Sequence, residues 1–167
     1  MLGSKLTWND FDSLRPELHP PAGTDAGLQF MQMTFPDPQF LWLRRADKVR
    51  QGISWWRAVT EQRGLRPGQQ AGRPAPDVEE MVALGRFAER CEDGWRQWFA
   101  STGIQHYQAL CEDLATDRLA VANGVLEFLR LPRLDADHLP PVRYRKQADG
   151  LTETYVNLVR SAMSSPG

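Results

Sequence analysis

Arg44, Arg45 and Ser54 are the side chains whose types and spacing suit chemistry: two adjacent cations, then a hydroxyl nine residues on. Gln39 to Leu43 is a short apolar and aromatic run entered through Pro36-Asp37-Pro38, which reads as a buried strand. Its carboxyl end delivers the two arginines. From Asp47 the pattern turns helical, with Val49, Ile53, Trp56 and Thr60 on one stripe and Asp47, Gln51, Ser54 and Ala58 on another. A strand that runs into a helix sets its end beside helix-start N–H groups, where open α/β sheets hold anions. There a guanidinium can fork onto phosphate oxygens while a serine hydroxyl donates a further bond. Arg44, Arg45, Lys48 and Arg50 equally suit a solvated basic face, and residue types alone leave both readings open.

The elements that must position these residues follow from period and punctuation. Leu2 to Leu6 reads as a strand, Asn9 to Leu18 as a helix, and Asp25 to Met33 as a second helix after a Pro-rich turn. Arg63 to Pro76, rich in glycine and proline, reads as a mobile loop, either a plain connector or a lid over a substrate. Asp77 caps a long helix through about Ala100, whose Val78, Met81, Leu84, Phe87, Cys91, Trp95 and Trp98 form a core stripe. His106 to Leu110 is a short strand, and a helix from Asp113 runs to Leu129, stopped by Leu131-Pro132. A last helix spans Leu151 to Met163, before a frayed tail at 164–167. Neighbours on a helix diverge by about 100°, so Trp55 and Trp56 face a cleft and the core respectively.

Other groups carry less. His19, His106 and His138 are scattered with no partner at metal-ligand spacing. Glu112 and Asp113 are adjacent and point apart, so a helix cap explains them better than an acid–base pair. Cys91 and Cys111 lie far apart, which suits small core residues in a reducing compartment. The net charge is -1, so the chain has no global attraction to nucleic acid or membrane and any anion site must be local. Neither a basic-then-apolar leader nor a long uncharged apolar run is present in these 167 residues, and a soluble cytoplasmic protein is expected.

Residues 35–58, FPDPQFLWLRRADKVRQGISWWRA, resemble a cofactor-binding segment of the Stf0-type bacterial sulfotransferases, whose pattern is Phe-Pro-Asp-Pro, strand, Arg, Asp-Lys-x-x-Gln-Ala-x-Ser, then Trp-x-Ala. Gly3-Ser4-Lys5-Leu6-Thr7-Trp8 is similar to the family's strand with Gly-x-Lys. Trp95 and Gly103-Ile104 sit where the family has a long helix and its exit. Cys111-Glu112-Asp113-Leu114 resembles its Tyr-Glu-Asp-Leu, and residues 145–152, RKQADGLT, resemble its Arg-Gln-Ala-Asp-x-Leu-Thr. The likeness runs in order along nearly the whole chain.

The resemblance implies one sulfotransferase-like domain over 1–167, an α/β, P-loop-like fold with a parallel sheet flanked by helices. It implies transfer of a sulfuryl group from 3′-phosphoadenosine 5′-phosphosulfate (PAPS), without a metal, to a hydroxyl of a trehalose-like carbohydrate or a glycolipid. Arg45 and Ser54, with Arg44, would hold the 3′-phosphate, and Arg145 and Lys146 would close over the nucleotide. A cytoplasmic homodimer without nucleic-acid partners or a membrane span completes the expectation.

Departures set against this are specific. The family's Arg-Ser-Gly-Ser-Thr loop, which cradles the phosphosulfate, and the acidic residue after it have no counterpart here, so the fold is expected to be N-terminally truncated and its catalytic base is unassigned. Ala46, Gly52, Cys111 and residues 59–62 also differ from the pattern. Two alternatives stay open: an inactive homologue that binds adenosine 3′,5′-bisphosphate or serves as an interaction module, and a helical interaction protein with a Trp-rich surface.

Overall fold

The computed structural model describes residues 4–15, 23, 25–64, 75–141 and 150–164. They fall into two compact units, Met1–Arg44 with Cys91–Leu139, and Arg45–Arg90 with Pro140–Gly167.

In the first unit, α1 (Trp8–Leu14) begins where the Thr7 hydroxyl accepts from Asp10 N at 3.3 Å, and α2 (Ala26–Thr34) begins where Asp25 accepts from Leu28 N at 2.9 Å. β1 (Phe40–Arg44) pairs in parallel with β2 (His106–Leu110), Phe40 opposite His106 and Arg44 opposite Leu110. The chain reaches β2 through α3 (Lys48–Gly64) and α4 (Val78–Thr102), the crossover that a parallel pair requires. Gly103 ends α4 at φ +67, where its N–H returns to the Phe99 carbonyl at 3.0 Å.

The core here is aromatic. Phe11, Met31, Trp42, Trp98 and Phe99 are buried, with Trp8, Phe30, Phe40 and Trp95 packed round them. Phe11 stacks on Trp95 at 5.0 Å and meets Trp98 edge-on at 4.9 Å, the geometries that ring quadrupoles favour. β1 turns Trp42 into this cluster. Its other face carries Leu41 and Leu43, which are 50% and 58% exposed.

Three expectations are corrected. Residues 4–6 form no strand: they make no ladder pairing and lead directly to Thr7, the cap of α1. The helix expected from Asp113 starts two residues earlier, and it is two helices, α5 (Cys111–Thr116) and α6 (Arg118–Phe128). The break is at Asp117, whose extended backbone (φ -143, ψ 85) lets its carboxylate accept from Ala120 N at 2.9 Å. Glu112 and Asp113 therefore lie in the first turn of α5, one and two positions inside its start, where negative charge suits the helix end. Beyond α6, buried Asn123 exchanges two bonds with the Leu134 backbone, at 3.0 and 2.7 Å, and holds residues 131–135 against the helix.

The second unit is helical: α3, the amino-terminal half of α4, and α7 (Gly150–Ser164). Ile53, Trp56, Met81, Tyr155, Val156 and Val159 form its core, so the apolar stripe of α3 is the buried one. A Cβ on Gly52 would stand 2.7 Å from the Gly85 nitrogen and closer still to the Met81 carbonyl oxygen. α3 and α4 thus touch backbone to backbone, an approach that glycine permits. Against α7, Asp47 reaches Arg160 at 3.4 Å while Arg57 reaches the Thr152 hydroxyl at 2.7 Å, so α3 and α7 run antiparallel.

Candidate functional site

The strand-to-helix junction spans three residues. β1 ends at Arg44, and α3 opens at Lys48 after Asp47 caps it, its Oδ1 accepting from Arg50 N at 2.9 Å. A helix start is an anion site only while its N–H groups point outward uncapped. Here one of them is taken by a carboxylate, so the charge offered to a ligand must come from side chains.

The two arginines have separate fates. Arg44 belongs to the first unit: Nη2 is bonded to Glu92, the guanidinium lies 4.9 Å from the Trp42 ring, and Nε is buried without a partner. It is a committed structural cation. Arg45 is half-buried, its carbonyl accepts from Lys48 Nζ, and no other described residue engages its guanidinium. Ser54, half-buried on α3 in the same unit, likewise has no described partner for its hydroxyl. Five guanidinium donors and one hydroxyl are thereby left with capacity for oxygen ligands.

The surroundings of Ser54 are ordered. Trp56 is 4% exposed and its indole donates to Glu80 at 2.9 Å, whereas Trp55 is 40% exposed and leans on Phe87 at 5.6 Å. Trp56 is thus the core indole and Trp55 the exposed one. Lys48 also reaches Gln51 Oε1 at 3.3 Å. Arg50, which counted toward the basic face, forks onto Glu153 at 2.7 and 2.8 Å. That bond, with the Coulombic pull of Glu153 and Asp47, raises the guanidinium's pKa above its ordinary value despite the opposing effect of burial.

Arg145 and Lys146 lie outside the described residues, as does most of the 63–76 segment. Asp10 accepts from the Thr7 hydroxyl and Asp12 pairs with Arg15 at 3.6 Å, so both acids of α1 have local roles. His106 stacks on Phe99 at 3.9 Å and its Nδ1 lies 3.1 Å from the Ile104 carbonyl, a core histidine; His138 is exposed. Among the described residues no group of three His, Cys, Asp or Glu could hold a metal, and no helix is long and apolar enough to cross a membrane. Residue order hid the commitment of Arg44, because Glu92 is 48 positions away. The Asp47 cap was readable from Asp-x-x-Arg before an apolar stripe.

An apolar strand feeding a capped helix, with an engaged cation before the junction and an available one after it, is the pattern carried by residues 35–58. The chain belongs to the Stf0 sulphotransferase family, whose profile matches residues 1–161. Among curated proteins it is similar to trehalose 2-sulfotransferase of Mycobacterium tuberculosis (strain Erdman), 26% identical over 165 residues, and to trehalose 2-sulfotransferase of Mycolicibacterium smegmatis, 29% identical over 170 residues. Each match covers 95% of this chain and 60% of the relative, so the chain spans about three-fifths of the length of these relatives.

Proposed function

We propose that this chain carries the 3′-phosphate-binding part of a PAPS-dependent sulfotransferase that acts on a carbohydrate hydroxyl. The observation that supports this most is the pair Arg45 and Ser54, whose donors no described residue uses, on the segment that matches the family pattern. Arg45 forks onto the 3′-phosphate and Ser54 adds a neutral donor, so the nucleotide is held by a group remote from the reacting sulfur. The acceptor oxygen then forms a bond to sulfur as the bond from sulfur to the 5′-phosphate oxygen breaks. The hydroxyl proton leaves to a base, and the products are the sulfate ester and adenosine 3′,5′-bisphosphate. Arg145 and Lys146 are assigned to the nucleotide by resemblance alone. Trehalose, the acceptor in the relatives' names, is the acceptor class put forward here. A cytoplasmic setting belongs to the same reading, supported by Cys91 and Cys111, neither of which is in a disulfide.

Parallel sheets bury both faces, yet the Leu41 and Leu43 face of β1 is more than half uncovered on average. A helix packed on that face would supply the cover.

Calorimetric titration with adenosine 3′,5′-bisphosphate tests the handle. Arg45→Ala should weaken binding by about 1.5–3 kcal/mol and Ser54→Ala by about 0.5–1.5 kcal/mol, the ranges for losing a charged and a neutral hydrogen bond. Adenosine 5′-phosphate, lacking the handle, should respond to neither change. Equal affinity of wild type and Arg45→Ala for the bisphosphate would sink the assignment.

A further inference from the structure

A cavity of about 260 Å³ opens in the first unit between α1 and the carboxyl-terminal half of α4, lined by Trp8, Arg15, Gly94, Gln97, Trp98 and Ser101. It shares no residue with the Arg45–Ser54 junction.

Its apolar wall is built. Gly94 has no side chain, and a Cβ there would stand 2.5 Å from Trp8 Cζ2 and closer to Cε2, so the indole lies directly along the α4 backbone. Trp95 braces it edge-on at 5.2 Å and Phe11 at 5.7 Å, while the ring itself is only half-buried. Trp98, almost fully buried, closes the floor.

Its polar wall has donors to spare. The Arg15 terminal nitrogens lie 3.6 Å from Asp12 and 3.5 Å from Asp25, long for charge-assisted bonds, and Nε is buried with no partner. A buried donor left unmade is costly, so it marks a place for an acceptor atom. Gln97 adds an amide, and the Ser101 hydroxyl, donating to the Trp98 carbonyl at 3.0 Å, keeps its acceptor lone pairs.

Charge decides what that acceptor is. One guanidinium faces two carboxylates, so the wall has no positive excess, and a phosphate or sulfate would meet net repulsion. A neutral oxygen is the matching partner. An aromatic plate opposite a fork, an amide and a hydroxyl suits a ring with an apolar C–H face and a rim of hydroxyls. The volume lies just below the ~300–1,000 Å³ of sites for larger ligands, which suits one ring.

We propose that this cavity is a neutral-carbohydrate site that takes a single pyranose ring against Trp8, with its hydroxyls on Arg15 and Gln97. The preference for a sugar over another neutral polyol rests on the carbohydrate-acceptor reading above.

Saturation-transfer NMR and calorimetry on the 167-residue protein, with glucose and trehalose as probes and inorganic phosphate as charged competitor, test it. Both sugars should bind, with strongest transfer to one C–H face, and phosphate should not displace them. Gln97→Ala and Arg15→Gln should each weaken sugar binding by about 2–12-fold, the range for one lost hydrogen bond. Gly94→Ala should abolish binding by displacing Trp8; because it borders the core, exposed Gln97 keeps the test decisive if that variant does not fold. Absence of sugar binding, displacement by phosphate, or an affinity unchanged by either Gln97→Ala or Arg15→Gln overturns the proposal. Adenosine 3′,5′-bisphosphate titrated into the same samples, with Arg45→Ala as its control, reports on the nucleotide reading alone, so either can fail while the other stands.

Discussion

The two units solve the same problem, packing helices round a core, with different materials. The first uses rings: Trp8, Phe11, Trp95, Trp98 and Phe99 contact one another at centroid distances of 4.9–5.8 Å, and Arg44 is drawn onto Glu92 and Trp42. The second uses an aliphatic core, a glycine crossing, and guanidinium contacts from α3 to α7. It leaves Arg45 and Ser54 uncommitted. Neighbouring arginines of one motif thus differ in kind, one stabilising the fold and one available to a ligand, and only their partners distinguish them.

Three substitutions break or sharpen that contrast. Trp98→Ala removes the ring that contacts Phe11, Phe40, Trp95 and Phe99, and the bond from its indole to Asp25, and should lower stability by about 3–5 kcal/mol in denaturant titration, the range for large-to-small core changes. A loss below about 1 kcal/mol would show that the cluster is decorative. Gly52→Ala drives a methyl into the α4 backbone and should destabilise by about 1–3 kcal/mol, the overpacking range. Should it stabilise instead, α3 and α4 are not in backbone contact.

The smallest effect belongs to Glu153→Gln. The pair with Arg50 is exposed, so the loss should be under about 1 kcal/mol and shrink in high salt. Because folding raises the Arg50 pKa, the guanidinium's contribution is whole below its unfolded value and is lost only as pH climbs through the folded one, in strong alkali. Wild-type stability should therefore not vary through this group between about pH 6 and 9, far below the range where arginine titrates. A loss of several kcal/mol would make this pair the main tie between α3 and α7.

Elements with a full local pattern were legible in the sequence. β2 forms over the residues its composition indicates, β1 is displaced by one, and Asp77 caps α4, accepting from Glu80 N at 2.8 Å. The Asp113 helix was misjudged because apolar spacing continues through Asp117, and only the side-chain-to-backbone bond at that residue reveals the interruption. No strand forms over 4–6, the described part of the run at Leu2 to Leu6, and Thr7 instead opens α1. Arg45 and Ser54 were legible by residue type and order. The engagement of Arg44 and the cavity at Trp8 were not, since both depend on pairs brought together from opposite ends of a long crossover or from separate helices.

Asp25 joins three elements through one carboxylate: Oδ1 accepts from Leu28 N at the start of α2 and from the Trp98 indole on α4, both at 2.9 Å, and Oδ2 faces Arg15 beyond α1 at 3.5 Å. None of the three can detach without leaving that carboxylate short of a partner. Their openings are therefore coupled, and they should exchange their amide hydrogens as a single cooperative unit, on the timescale of that unit's unfolding and not of fraying at any one end.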